Sequence, residues 1–568
     1  MTRLITFEEA DALDGQLRHW AYNSGDAAGT RAVADELLPR LRGRKERAYA
    51  FGRAVQNPAF AIGLRGVRVN EARRAKTIAD LEAEVETALA TVDAHPIIQA
   101  VWDGAEKETG ACPKSKRKDG KHTWSRVPVV AEPAAGGSDA SGSVPDAAAL
   151  EKLRTCEQCM APRFRRSPFN ANSSAQAAHL IYDLLKVPPQ KNKKGDVSAD
   201  SEVLERLKLS WGRLAPLAVR KRFRSIEDLI GWESSPRDNI EGAGILNVRA
   251  LKKQLGEAKA PLTADGRYPT TINIHAAWTG RSSSSKGYMG LGGNMQNKAE
   301  RMRSMYEADP GYLLVAADLK QAESLQVAYE AEDPAYVEAH QTGDVHTYVT
   351  RVLFPEMEWT WDIRQDAKIA KSINPPWDPA PGHDLRFQAK RNTHGYAYGI
   401  SPAGTARIMH ILTRLAAEAH GKLDEAFPGI KQTYQARLRE RVRQGLPVVT
   451  PLGREIPLLG RPWDQATYRQ AYSAGPQATI SDLVWLAAYY LYRDFDPHLL
   501  QILGNGYDAL LFQAREHHIE EAVARVREYM TIPVLMPDGA EMVIPVEISV
   551  GKNWGKRSKD NPDGLVEV

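Results

Sequence analysis

The chain has 568 residues, 43% of them hydrophobic and twelve of them tryptophan, enough for a sizeable core divided among several domains or lobes. Its formal net charge of +4 demonstrates no polyanionic partner by itself, and no apolar run approaches the roughly 18 residues that a membrane span needs. Three cysteines argue against a disulfide framework, and the start of the sequence lacks the apolar segment of a signal peptide, so the expectation is a cytoplasmic protein without a membrane partner.

In chain order, residues 1–45 read as an N-terminal extension of short helices. Residues 46–103 read as a helical segment, with helical periodicity over 54–89 interrupted at 63–69 (GLRGVRV). Residues 104–166 lose all periodicity, and 132–149, rich in Ala, Gly, Ser and Pro, read as a flexible linker. The only cysteines bracket this region. Cys156 and Cys159 form half of a zinc knuckle, and Cys112 with His122 would complete a tetrahedral Cys3His site. A C-x-x-C pair is also compatible with redox chemistry or with no role, and spacing alone does not choose. Order returns at 169–185, which opens like a capped helix with an apolar face, and helices follow over 204–223, 226–232 and 245–258. The last carries Arg249, Lys252 and Lys253, suited either to a phosphate backbone or to solvent.

Four stretches carry chemistry. Residues 279–286 (TGRSSSSK) and 294–297 (NMQN) place Arg281, Asn294, Gln296 and Asn297 in loops of small residues, with donors suited to phosphate and base edges. Residues 312–323 (YLLVAADLKQAE) read as a buried strand ending at Asp318, with Glu323 five residues on. Asp318 there would either hold a cation at a cleft floor or cap the helix that follows. Residues 386–401 (RFQAKRNTHGYAYGIS) set Arg386, Lys390 and His394 on one helical face with Tyr398 a step further, a pairing of cations and rings suited to a triphosphate and a base. Residues 499–512 (LLQILGNGYDALLF) read as two strands meeting at a tight turn that carries Asp508. Between the last two, 450–457 (TPLGREIP) reads as a turn into a strand, and 474–482 (AGPQATISD) opens a long apolar helix reaching Leu491.

Taken in this order, these stretches resemble family A DNA polymerases, the group of bacterial DNA polymerase I and its bacteriophage relatives. Residues 169–174 look like the thumb signature, 315–323 like motif A, 344–347 (DVHT) like the start of the fingers, 386–399 like motif B, Tyr507-Asp508 like motif C, and 546–554 like the C-terminal strand. The resemblance implies an α+β right hand, with an antiparallel palm sheet, helical fingers and a helical thumb. It implies thumb over 167–260, palm over 261–343, fingers over 344–480 and palm again over 481–568. Asp318 and Asp508 would hold two Mg2+ ions. Arg386, Lys390 and His346 would hold the triphosphate, with Lys390 the general acid, Gln321 would also bind the nucleotide, and His394 would take the stacking position. Glu323, bonded to Tyr398, would exclude a ribose 2′-hydroxyl. Arg281, Asn294, Gln296, Asn297, Arg454 and Gln477 would meet DNA. Primer-template DNA and dNTPs are the implied partners of a monomer served by replisome accessory proteins, in a phage or plasmid setting and so in a host cytoplasm.

Departures are specific. His394 replaces the family's Phe or Tyr, and motif C reads Tyr-Asp-Ala, without the flanking His and Glu. Residues 104–166 and a Pro-rich stretch around 374–383 look inserted, and the stretch before residue 50 is too short for a 3′–5′ exonuclease domain. A single-subunit phage-type RNA polymerase shares the Asp, Arg-Lys-Tyr and Asp framework, but Glu323 leaves no room for a 2′-hydroxyl. A non-catalytic DNA-binding relative is disfavoured by Asp318, Asp508 and Lys390.

Overall fold

The computed structural model describes residues 35–36, 44–102, 106–108, 164–166, 168–192, 194–231, 244–274, 276–375, 383–409 and 411–568. Cys112, His122, Cys156 and Cys159 lie outside the described residues, as do the linker at 132–149 and nearly all of the N-terminal extension. The chain forms two compact units, one of Met1–Arg74 with Ala260–Val568, the other of Ala75–Lys259. No described helix is long and apolar enough to cross a membrane.

The first unit opens with α1 (Arg44–Arg65) and β1 (Val67–Val69), so the interruption in the helical pattern is a strand. β1 pairs antiparallel with 267–268 on one side and 306–307 on the other. Gly66, at φ +65°, makes the turn between them. A Cβ there would lie 3.0 Å from the Tyr268 backbone, so only glycine fits.

The second unit is helical and holds most of α2 (Glu71–Asp93), then α3 (Ser201–Leu214) and α4 (Ile245–Ala258). Asp200 caps α3 by accepting from the Val203 N–H at 3.0 Å. The basic helix expected at 245–258 is α4, but Arg249 turns inward and donates to the carbonyls of Ala171 and Ala199, both at 3.0 Å. That residue builds the unit, whereas Lys253 on the same helix is exposed.

The rest of the first unit is built on a five-stranded sheet. In chain order its elements are β2 (Tyr312–Leu319), α5 (Ala322–Glu330), α6 (Val345–Leu353), α7 (Leu385–Ala397), α8 (Gln465–Asp494), β3 (Leu500–Asn505), β4 (Ala509–Arg515), β5 (Val546–Gly551) and β6 (Val566–Glu567). The strand order is β3-β4-β2-β5-β6, with every neighbour antiparallel. The α+β class and antiparallel sheet expected from the sequence are what the structure has. One core packs Val315, Ala317 and Leu319 of β2 with Val55, Ala59 and Ile62 of α1, Ile480, Leu483 and Trp485 of α8, and Phe512 of β4. A second core joins Val327 of α5, Val345 and Val349 of α6, Ala389 and Tyr396 of α7, and Tyr468, Tyr472 and Ala478 of α8. The 30-residue α8 thus belongs to both.

The sequence placed the start of that helix near Ala474. It begins nine residues earlier, at Gln465, where Asp464 accepts from the Ala466 N–H at 2.9 Å. Gly475 and Pro476, expected in the opening turn, lie ten and eleven residues into the helix. Pro476 has no N–H to give the carbonyl of Tyr472, four residues back. The hydroxyl of buried Tyr434 donates to that carbonyl instead.

Candidate active site

β2 is buried or half-buried along its length until Asp318, which is exposed between buried Ala317 and Leu319. Helix α5 starts only at Ala322, with Gln321 at its N-cap position in a left-handed conformation (φ +53°), so Asp318 is a strand residue and not a cap. Across the sheet Asp318 lies opposite Ala509 of β4 and Glu547 of β5. Between β3 and β4 the chain turns through Gly506, Tyr507 and Asp508. The Gly506 N–H bonds the Ala509 carbonyl at 2.7 Å, and Tyr507 takes φ +74°. The Leu319 N–H then donates to the Asp508 carbonyl at 2.9 Å. Asp318, near the end of β2, and Asp508, in the turn that leads into the neighbouring β4, therefore stand at the same end of the sheet. Glu547, the register neighbour on the other side, pairs with Lys320 at 2.6 Å.

Among the described residues no cluster of three or more His, Cys, Asp or Glu is arranged to hold a metal. Mg2+ is usually bound through one or two carboxylates completed by waters and substrate phosphates. Asp318 and Asp508 supply oxygen donors of that kind.

Beside the aspartates, Glu323 on the first turn of α5 accepts from the Arg281 guanidinium through one oxygen and from the Tyr398 hydroxyl through the other. Burial first, and then the Glu323 charge, hold the Tyr398 phenol well above its usual range, so it stays a donor. The Arg281 guanidinium also lies 5.5 Å from the ring centre of Tyr507. Loops from distant parts of the sequence lock around it. Ser282 donates to Asn505 at 3.2 Å, Gln296 to Ser282 at 3.0 Å, and Ser481 to the Gly280 carbonyl at 3.1 Å. Asn294 folds its loop by accepting from the N–H groups of Gln296 and Asn297, and Asn297 reaches the Tyr507 hydroxyl at 3.4 Å. Arg454 grips Asp482 through two bonds of 2.8 and 2.5 Å. Gln477 is half-buried on an otherwise buried stretch of α8.

The cationic face lies on α7, capped by Asp384 onto the Phe387 N–H at 2.8 Å. Arg386 bonds Asp344, the residue that caps α6. His346 of α6 is 4% exposed, with its ring 5.6 Å from that of His394. Burial, helped by the charges of His394, Lys390 and Arg386, pushes His346 down to about 2. Burial likewise lowers His394, with Lys390 adding to it and Glu323 opposing it. Gln321 bonds the loop before α6 through the Val345 N–H at 3.0 Å and the Gly343 carbonyl at 3.1 Å.

The structure thus brings together Asp318, Asp508, Glu323, Arg281 and Tyr398 from four separate stretches, and sets Arg386, Lys390 and His394 along α7 with His346 beside them. Gln296, Asn294, Arg454 and Gln321 spend their side chains inside the protein. Sequence reasoning passed over Asp344 and the ring of Tyr507. An Asp three residues before Thr347, opening an apolar helix, is a capping signal that points to the first; nothing local to the sequence points to the second.

An antiparallel sheet presenting two carboxylates, flanked by a cationic helix, defines a palm-and-fingers protein. DNA polymerase family A matches residues 146–556, and the chain belongs to that family. It is 28% identical over 418 residues to DNA polymerase I of Chloroflexus aurantiacus, covering 69% of this chain and 38% of that protein. It is 26% identical over 413 residues to the thermostable DNA polymerase I of Thermus aquaticus, covering 69% and 42%. The chain therefore spans about two-fifths of the length of these curated relatives. Among solved structures, the POL domain of Pol1 from M. smegmatis, in complex with DNA primer-template and dNTP, superposes with a TM-score of 0.58 at 19% identity, covering 95% of this chain and 74% of that one.

Proposed function

We propose that the chain is a template-directed DNA polymerase that adds dNTPs to a primer 3′-hydroxyl. The observation that carries this is the bond from the Leu319 N–H to the Asp508 carbonyl, which brings Asp318 and Asp508 to one end of the sheet. Divalent cations held by these carboxylates would lower the pKa of the primer hydroxyl and neutralise the triphosphate. The protein's own part is positioning and electrostatics, as in phosphoryl transfer generally. Arg386, Lys390 and His346 hold the phosphate oxygens, and Lys390 gives a proton to the departing pyrophosphate. Glu323, fixed between Arg281 and Tyr398, occupies the space of a 2′-hydroxyl, which favours DNA over RNA synthesis. Arg281, Asn297 and Gln477 meet the primer-template, while Asn294, Gln296 and Arg454 shape the loops that receive it.

Primer extension tests this. Wild-type protein should extend with dNTPs in Mg2+. Asp318→Asn and Asp508→Asn should each abolish extension while retaining primer-template binding. Substantial turnover by either variant overturns the metal assignment, and a wild-type preference for NTPs overturns the DNA polymerase reading in favour of an RNA polymerase.

A further inference from the structure

We propose that Asp344 is a positioning residue for the triphosphate: its carboxylate fixes the Arg386 guanidinium, and the helix it caps carries His346, so that two phosphate-binding groups are assembled before the nucleotide arrives. This deepens the polymerase reading and rests on it.

The geometry is that of a fork. Asp344 accepts from Nε and Nη2 of Arg386 at 2.8 Å each. A guanidinium is planar with five donors, so a carboxylate on one edge fixes the plane and leaves the Nη1 donors for another anion. Among the described residues Asp344 is the only hydrogen-bond partner of this guanidinium. The same carboxylate takes the Thr347 N–H at 3.3 Å and its hydroxyl at 2.7 Å, which anchors the first turn of α6. His346 is the second residue of that helix, beside His394 of α7. Burial pushes the Asp344 carboxyl up, but the bonds and charge of Arg386 and the bonds of Thr347 outweigh it, so the group stays ionised.

The loop holding Asp344 is tied to the catalytic strand as well. Gly343 and Val345 on either side of it bond the Gln321 side chain, two residues past the end of β2. The position of Arg386 is thereby referred to Asp318 through one side chain and one short loop. An arginine without such a hold would lose its rotamer freedom on meeting the nucleotide, at the expense of affinity.

The experiment is single-nucleotide extension by the full chain at varied dNTP concentration. Asp344→Asn keeps a competent cap but loses the charge. It should raise the KM for dNTP about tenfold or more, the scale of a charge-assisted bidentate bond, with kcat changing less. Arg386→Gln should raise it similarly, and the double variant should show no further rise, because both changes remove one interaction. Additive effects would mean that Asp344 acts independently of Arg386, and overturn the proposal. An unchanged KM overturns it, and a lower KM would make Asp344 a competing counter-ion, which overturns it too. Arg386→Lys leaves Asp344 and its cap in place, so it reads the same point should Asp344→Asn fold poorly. The charge remains while the fork is lost, and KM should still rise; a wild-type KM there also overturns the assignment. A wild-type chain that extends no primer removes the polymerase reading itself, whereas an active wild type beside an unaffected Asp344→Asn removes only the role of Asp344.

Discussion

At the scale of single residues, the site turns on Glu323. Its two oxygens have two donors, Arg281 and Tyr398, drawn from stretches 117 residues apart (398 − 281). On the proposed function, a carboxylate held this way would reject a 2′-hydroxyl by overlap and by unmet desolvation. Glu323→Ala should therefore lower the ratio of kcat/KM for dCTP over CTP about tenfold or more. Use of dCTP should itself fall, since Tyr398 and Arg281 lose their shared partner. An unmoved ratio would show that Glu323 is not the gate. His346 makes a second prediction, on stability. Its folded value, about 2, lies far below the ordinary histidine value of 6.5. The unfolded chain then binds a proton that the native state refuses, so the contribution is present above pH 6.5 and lost as pH falls below it. Denaturant titrations from pH 7.5 to 5 should show stability falling by up to about 1.4 kcal/mol per pH unit from this group below pH 6.5. His346→Gln should flatten that slope, and an equally steep slope in the variant would assign the loss to other groups.

At the scale of elements, what was legible followed from periodicity and what was not followed from partners far away in sequence. The apolar run before Asp318 and the glycine turn before Asp508 declared two strands and a hairpin, and β2, β3 and β4 lie where those patterns put them. The face of α7 could be read because residues four apart share a side. The start of α8 could not, because Gly475-Pro476 is a breaker in any local reading. Its cost is offset by Tyr434, 42 residues upstream of Pro476, whose hydroxyl serves the Tyr472 carbonyl that the proline abandons. Tyr434→Phe removes that donor and leaves a buried carbonyl unpaired. Such a loss costs about 1–3 kcal/mol, to be read as a lower denaturant midpoint at an unchanged m-value. No change in midpoint would mean that the carbonyl finds another partner and that the bond is not what carries the helix across the proline.

At the scale of the whole molecule, the family's motifs run in order along the chain, and this made the α+β class and the grouping of most candidate residues readable before any fold was known. The contribution of the N-terminal helix was not readable in that way. The family match begins at residue 146, yet α1 supplies Val55, Ala59 and Ile62 to the core beneath β2, alongside Ile480, Leu483, Trp485 and Phe512. Its pattern was visible as helical but not as part of the catalytic sheet's foundation, because its partners lie more than 200 residues downstream. Position on the helix decides the consequence. Ile62 is fully buried, while Phe60 and Leu64, two residues to either side, are 67% and 70% exposed. Ile62→Ala should therefore destabilise the chain by about 2–5 kcal/mol, the usual cost of hollowing a core at an isoleucine. It should also depress primer extension at elevated temperature, since the strand that carries Asp318 rests on that core. Phe60→Ala and Leu64→Ala should move stability by about 0.5 kcal/mol or less, as exposed changes generally do. Equilibrium unfolding of the three variants beside wild type reads the contrast. Equal effects at 60, 62 and 64 would mean that α1 is not seated on the sheet as described, and that the catalytic core begins where the family match does.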